Sequence, residues 1–313
     1  MFRLEGHRIG DAWYFTDGAT VHAWFLAMPL DHKTGWRIDH CVSDDLAHWE
    51  YQGTALEPGS PDAWDGKSLA TGSVIRRDGR YWMAYTGHKH EAAFVQRTGM
   101  AVSDDLATWC KLSENPTSVA DPAFYEIEST GQRQLTHWRD PFLLDTGGRV
   151  QQYVCARRTD GDVAERGSVG IARSVDMIHW ECLPPPEHDR MTEEMEVPQV
   201  YFIEGRWYLV FCTHEFWLAS SFRDRFPGHP FRSTDYAMVG DSPLGPFRIH
   251  GTGEIMPEAP AHRFYASQLV EHGGEWFLLG TEGLDAESGL SDPLPVDADE
   301  TGIHVKQSLL TRS

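Results

Sequence analysis

One phrase recurs along this 313-residue chain and limits what it can fold into. It reads Cys41-Val-Ser-Asp-Asp-Leu-Ala-His-Trp49, then Ala101-Val-Ser-Asp-Asp-Leu-Ala-Thr-Trp109, then Ala172-Arg-Ser-Val-Asp-Met-Ile-His-Trp180, with a degenerate copy at Met238-Val-Gly-Asp-Ser-Pro-Leu-Gly-Pro-Phe247. The interval between its serines is about 60 to 70 residues, longer than most solenoid repeats and long enough for a whole sheet. Each phrase reads as a strand entering a turn. A glycine turn and an alternating aromatic and aliphatic run precede each phrase, at Gly18–Phe25, Gly79–Tyr85, Gly148–Val154, Gly205–Phe211 and Gly274–Leu279. A third short run lies before each glycine: Asp11–Phe15, Thr71–Ile75, Asp140–Leu144, Glu196–Phe202 and Tyr265–Val270. Each unit is therefore strand, tight turn, strand, loop, strand, with room for a fourth strand. Five such units with no long amphipathic helix between them predict an all-β, five-bladed β-propeller of four-stranded antiparallel sheets. A β-sandwich is the alternative, but it does not call for a five-fold phrase.

In a propeller the first strand of each blade lines the central channel, so the starts of all five first strands meet at one mouth. Those starts are Asp11, Thr71, Asp140, Glu196 and either Tyr265 or Ser267. The second strands return to the same mouth and add Pro29, His88, Arg157, His214 and Glu282 to the rim. Three close carboxylates repel unless one is protonated or all are hydrogen-bonded, which is costly for a purely structural feature. Carboxyl groups with separated pKa values are what glycosidic-bond cleavage requires, one protonating the leaving oxygen while another attacks the anomeric carbon or activates water. In the fourth unit Glu193, Glu194 and Glu196 compete for that place, and Glu196 is preferred because Pro198 and a hydrophobic run follow it.

Charge points to a neutral or cationic partner. Lys and Arg total 27 against 47 Asp and Glu, a net charge of −20, and no basic cluster offers a face to nucleic acid or an anionic membrane. No signal-peptide pattern opens the chain and no apolar run reaches membrane-spanning length, so a cytoplasmic protein is expected. Cys41, Cys110, Cys155, Cys182 and Cys212 form no paired motif and suit reduced thiols. The His88-Lys89-His90 run lacks metal-ligand spacing, and neither a nucleophile elbow nor a phosphate loop is present, so no metal or cofactor is expected. Most of the tryptophans belong to the repeated phrases and read as blade core. Trp13, Trp36, Trp64, Trp138 and Trp217 stand outside them, and one or two of these are expected to stack on a sugar face.

At these residues the chain resembles glycoside hydrolase family 32, the invertase, levanase and inulinase group, within the five-bladed superfamily that includes families 43 and 68. Trp138-Arg139-Asp140-Pro141 resembles the family's Arg-Asp-Pro motif, and Asp39 to Glu50 followed by Ala55-Leu56-Glu57-Pro58 resembles its first-blade sequence. Thr71-Gly72-Ser73 is similar to its Ser-Gly-Ser element, and Met195-Glu196-Val197-Pro198 stands where the family has Glu-Cys-Pro. The resemblance implies Asp11 as nucleophile, Glu196 as general acid and base and Asp140 as transition-state stabiliser, with Arg139 on the substrate. Thr71, His88, Trp138, Arg157, His214 and Glu282 complete the expected substrate contacts. The chain departs from the family at Gly10-Asp11-Ala12-Trp13 in place of Asn-Asp-Pro-Asn, at Leu26-Ala27, at Ile38-Asp39-His40 and at Ala70-Thr71. The acids survive while much of the fructosyl pocket differs.

The chain is also too short for the β-sandwich common in the family. After Glu282 an acidic loop through Asp299 and one strand, Ile303 to Leu310, are expected; that strand and Phe2 to Ile9 would close the last blade onto the first, making residues 1–313 one domain. The leading expectation is a retaining hydrolase of a terminal β-fructofuranoside acting on a small carbohydrate. An inverting arabinofuranosidase or xylosidase like those of family 43, and a non-catalytic carbohydrate-binding propeller, remain the alternatives.

Overall fold

The computed structural model describes residues 1–90, 94–128, 130–133, 135–257, 265–283 and 287–306. Five antiparallel sheets follow one another along the chain, each built from consecutive strands paired in sequence order. The first blade comprises His7–Asp17, Thr20–Pro29, Arg37–Ser43 and Glu50–Leu56, and the second Ser68–Arg77, Arg80–His88, Phe94–Ser103 and Cys110–Lys111. Arg139–Asp145, Val150–Arg157, Gly167–Ser174 and Glu181–Leu183 form the third blade. Glu196–Ile203, Arg206–Thr213, Thr234–Gly240 and Phe247–Arg248 form the fourth, and Tyr265–His272, Glu275–Glu282, Leu294–Asp299 and Gly302–Val305 the fifth. Each inner strand packs against the inner strand of the next blade, and the fifth packs against the first. The ring of a five-bladed propeller is thereby closed.

The recurring phrase is the turn between the third and fourth strands, and it is built alike in three blades. The Asp45 carboxylate accepts the amides of Ala47 and His48 at 2.9 and 2.8 Å. Asp105 does the same for Ala107 and Thr108 at 2.9 and 2.7 Å, and Asp176 for Ile178 and His179 at 3.0 and 2.8 Å. Such capping satisfies amides that the turn takes out of the ladder. Leu46, Leu106 and Met177 take φ of 62°, 63° and 67°, and the following Trp49, Trp109 and Trp180 indoles donate back to their carbonyls. Apolar side chains of alternating register fill the spaces between blades: Trp13, Trp24, Met83 and Tyr85 between the first two, Tyr153, Leu209, Phe211 and Tyr236 between the third and fourth.

Closure differs from the expectation. The segment expected to be a loop through Asp299 supplies the third strand of the fifth blade, Leu294–Asp299, whose Pro295 pairs opposite Phe277. The expected strand from Ile303 becomes the fourth, Gly302–Val305, and its continuation to Leu310 lies outside the described residues. The blade is joined to the chain start where Phe2 and Leu290 exchange backbone hydrogen bonds of 3.1 and 2.9 Å. Among the described residues no β-sandwich follows the fifth blade, and no helix is long and apolar enough to cross a membrane.

The phrase also generates a stability test. Ser103 is buried, and its hydroxyl donates to Asp105 while accepting the amides of Asp105 and Leu106. Ser103→Ala is expected to lower the unfolding free energy by about 1–2 kcal/mol, read as a lower urea midpoint at unchanged slope.

Candidate active site

The side chains at the mouth are aimed by a backbone irregularity shared by all five inner strands. The ladder to the second strand slips between Ile9 and Ala12, Ala70 and Gly72, Arg139 and Phe142, Glu196 and Gln199, and Tyr265 and Gln268. A β-bulge places two residues against one and re-aims a side chain that regular alternation would send elsewhere. Asp140, Val197 and Ala266 stand in these bulges with φ of 57°, 48° and 58°, a region that residues with a Cβ rarely adopt. Asp11, Thr71 and Asp140 sit within the bulges, whereas Glu196 and Tyr265 stand one residue before them. The acids are therefore not at equivalent repeat positions as the sequence suggested: counted from the last paired residue before each bulge, Asp11 stands two residues on, Asp140 one, and Glu196 is that residue itself.

Asp11, Thr71, His88, Arg139, Asp140, Glu196 and His214 line one cavity of about 500 Å³, together with Arg8, Gln96, Arg133, Trp217 and Tyr265. Asp11 accepts a hydrogen bond from the Thr71 hydroxyl. Asp140 is locked on both sides: Thr86 Oγ1 accepts its amide at 2.8 Å, and its Oδ2 accepts the Val197 amide at 3.2 Å. Arg139 lies 4% exposed between the acids. Its Nη2 donates to Glu194 Oε2 at 2.5 Å and Glu196 Oε1 at 2.7 Å, its Nη1 to Gln96 Oε1 at 3.2 Å, and its Nε is 3.3 Å from Asp140 Oδ2. Arg133 Nη1 reaches the same two glutamates at 3.3 and 2.9 Å. The Tyr265 hydroxyl donates to the other oxygen of Glu196.

These contacts set the acids apart. Burial pushes the Asp140 carboxyl up to about 7; Arg139 opposes the shift, while the charges of Asp11 and Glu196 add to it. Burial also raises Asp11, against the Thr71 hydrogen bond and with the charge of Glu196. Burial acts on Glu196 in the same sense, but Arg139, Arg133 and Tyr265 outweigh it and hold that carboxyl below its ordinary value. Glu194 is raised by burial and by the neighbouring charge of Glu196, against Arg139. His88 is pushed down to about 4 by burial and the surrounding Arg139, Lys67 and Arg133, and it is neutral at pH 7. His214 stacks between Phe216 and Tyr265, ring centroids 4.9 and 4.6 Å away.

Three expected contacts lie elsewhere. Trp138 is fully buried, packs edge-on against Tyr125 and donates its indole N–H to Ser118 at 3.0 Å, because alternation points it away from the face that Arg139 occupies. Arg157 is fully buried and donates to the Glu126 carboxylate at 2.9 Å and the Glu193 carbonyl at 2.6 Å. Glu282 pairs with Gly289 of an added strand and is not among the cavity-lining residues. Conversely, Gln96 and Arg133 reach the cavity from a third strand and a long connection that carry no motif. Of the tryptophans outside the phrases, Trp217 lines the cavity and Trp13 is core.

A family model for the glycosyl hydrolases family 32 N-terminal domain matches residues 13–280. The chain belongs to this family. The match begins two residues beyond Asp11, where the sequence departs from the family pattern. Among named relatives, raffinose invertase of Escherichia coli is 25% identical over 80% of the chain and 50% of its own length. A probable sucrose-6-phosphate hydrolase of Vibrio cholerae is 25% identical over 58% of the chain and 31% of its own length. The chain thus spans about a third to a half of these relatives. Inulosucrase from Halalkalicoccus jeotgali bound to kestose has the same fold, with a TM-score of 0.75, 22% identity and coverage of 96% of this chain and 87% of that one. The Bombyx mori family 32 β-fructofuranosidase superposes with a TM-score of 0.70 at 17% identity over 96% of this chain and 64% of its own.

A further acid lies behind the cavity. Asp235 is buried, accepts the Ser267 amide and hydroxyl at 3.1 and 2.7 Å, and is pushed by burial from 3.8 up to about 7, the Ser267 bonds opposing and the Asp11 charge adding. A carboxyl raised on folding binds its proton more tightly in the folded protein, so the stability it adds is present at low pH and lost as pH rises to about 7. Asp235→Asn is accordingly expected to gain on the parent protein between pH 5 and 8 by on the order of 2–3 kcal/mol, measured by urea unfolding at several pH values. A pH-independent difference contradicts the assignment.

Proposed function

We propose that this protein hydrolyses a terminal β-fructofuranoside with retention of configuration, in one catalytic domain, with Asp11 as nucleophile, Glu196 as general acid and base and Asp140 as stabiliser of the transition state. The observation that carries the reading is the meeting of three inner-strand carboxyls in one polar cavity, each in a different electrostatic setting. Family membership supplies the reaction class. The names of the relatives, sucrose-6-phosphate hydrolase and raffinose invertase, supply the substrates to assay.

The geometry fits those roles. The Thr71 hydrogen bond fixes one oxygen of Asp11 and leaves the other to attack the anomeric carbon. Asp140, held by a backbone amide and beside Arg139, is placed to accept sugar hydroxyls whose bonds strengthen as positive charge develops on the ring. Glu196 stands one residue before its bulge, on the side of Trp217, His214 and Tyr265, which forms a platform for the leaving sugar. Attack by Asp11 breaks the glycosidic bond as Glu196 gives its proton to the departing oxygen. Glu196 then removes a proton from the water that releases the fructosyl group from Asp11. Five unpaired thiols, three of them buried, support work in a reducing, cytoplasmic setting.

With sucrose and sucrose 6-phosphate as substrates, Asp11→Asn and Glu196→Gln are each expected to lower kcat by about a thousandfold or more. The product first formed, followed by NMR, retains its anomeric configuration. Full activity in Asp11→Asn, or an inverted first product, contradicts the reading.

A further inference from the structure

Glu196 must carry a proton when it meets the leaving oxygen, yet two guanidiniums and a hydroxyl donate to its carboxyl. Oε1 accepts from Arg139 at 2.7 Å and from Arg133 at 2.9 Å, and Oε2 accepts from the Tyr265 hydroxyl. Three of the carboxyl's four lone-pair sites are thus filled, two of them by cations that favour the ionised form. Release of one cation would favour the proton, and the donors are not equally able to leave.

Arg139 is buried and tied to Gln96, His137, Asp140 and Glu194 as well as Glu196. Tyr265 is fixed by its stack on His214, whose Nδ1 is 2.9 Å from Ser233 Oγ. Arg133 is different. Its side chain is 40% exposed, it enters the cavity from a connection rather than from an inner strand, and its guanidinium lies over the face of Trp217, 5.3 Å from the ring centroid. The connection itself is anchored just before it. The Gln132 amide and side chain donate to the Glu193 carboxylate at 2.9 and 3.1 Å, and Glu126 is held by Arg157 and Arg166 at 2.9 and 2.7 Å. The backbone is thus pinned while the arginine tip projects over the place of the leaving sugar.

We propose that Arg133 is a displaceable clamp, a positioning residue that holds Glu196 Oε1 beside Arg139 and withdraws its charge when the leaving-group sugar enters against Trp217. The inference rests on the reading that Glu196 is the acid. When the clamp opens, Glu196 takes a proton from solvent, passes it to the glycosidic oxygen as the bond to the anomeric carbon breaks and the bond to Asp11 forms, and recovers one from the hydrolytic water. Arg133, released, turns its N–H donors to the hydroxyls of the leaving sugar. The charged and titratable groups that remain around Glu196 are Arg139 and Asp140 from the third blade, Asp11 from the first, Tyr265 from the fifth, Cys212 opposite it in the ladder, and Glu194 ahead of it on the chain. Only Arg139 among these keeps a positive charge on it. With one guanidinium in place of two, burial again favours the protonated acid.

The test compares the parent protein with Arg133→Met and Arg133→Lys. In protein carrying carbon-13 at glutamate carboxyls, with the Glu196 signal assigned by its loss in Glu196→Gln, the titration midpoint of Glu196 in the free protein is expected to move up by at least about one pH unit in Arg133→Met, and less in Arg133→Lys. In the hydrolysis of sucrose, the alkaline limb of kcat/KM, which reports the free enzyme, follows the same upward shift, while the pH profile of kcat, which reports the complex, stays with the parent because the clamp is already open there. An unmoved Glu196 midpoint overturns the proposal, and so does a kcat profile displaced as far as that of kcat/KM. If the parent protein hydrolyses no β-fructofuranoside, the proposed function fails and the displacement of Arg133 with it, while the carboxyl titration separately reads whether Arg133 holds Glu196.

Discussion

A single buried guanidinium makes the mouth of this propeller possible. Asp140, Glu194 and Glu196 converge on Arg139 at contact distances, with Asp11 across the cavity, and four carboxyls so close would repel one another and pay for burial with no return. Arg139 neutralises one charge from inside, and Arg133 approaches the same pair from outside. Two cations face four acids, and burial still pushes Asp140 to about 7 and raises Asp11 and Glu194. Removing the Arg139 cation while keeping the acids would strand buried charge.

That guanidinium is itself placed by the bulges. In a regular strand Arg139 and Asp140 would point to opposite faces. The slipped register and the left-handed φ of Asp140 turn its carboxyl toward the axis beside the arginine, and its own oxygen then holds the amide of Val197 in the next blade's bulge. Backbone strain at one blade is thus coupled to backbone order at its neighbour. Positive φ costs about 1–3 kcal/mol per residue and persists only where surrounding packing enforces it. The apolar layers between blades, dominated by fully buried tryptophan, tyrosine and phenylalanine, provide that enforcement.

The blade count and the meeting of three carboxyls could be read from the sequence because repetition makes local signals add. The Ser-Asp turn in three copies and the five glycine turns located the strands, and Asp11, Asp140 and Glu196 stand in one cavity. What could not be read was anything depending on the depth of an irregular connection. Arg157 occupies a rim position in the repeat, but it is buried and serves as an anchor for Glu126. Trp138 sits beside the motif arginine and points into core, a difference of one residue in register. Arg133 lies in a stretch with neither periodicity nor motif, and only folding brings it against Glu196. The three acids of the fourth blade were a single ambiguous cluster in sequence; in space Glu193 ties down the connection, Glu194 holds Arg139, and Glu196 faces the cavity.

The central claim is that Asp11 forms a bond to the sugar while Glu196 supplies and recovers the proton. Its most direct test is intact-protein and peptide mass spectrometry of Glu196→Gln after mixing with β-fructosyl fluoride, whose leaving group needs no acid. The account predicts a protein heavier by one anhydrohexose, with the addition on the peptide containing Asp11. An adduct on another residue, or turnover of the fluoride to an inverted product with no adduct, would contradict it.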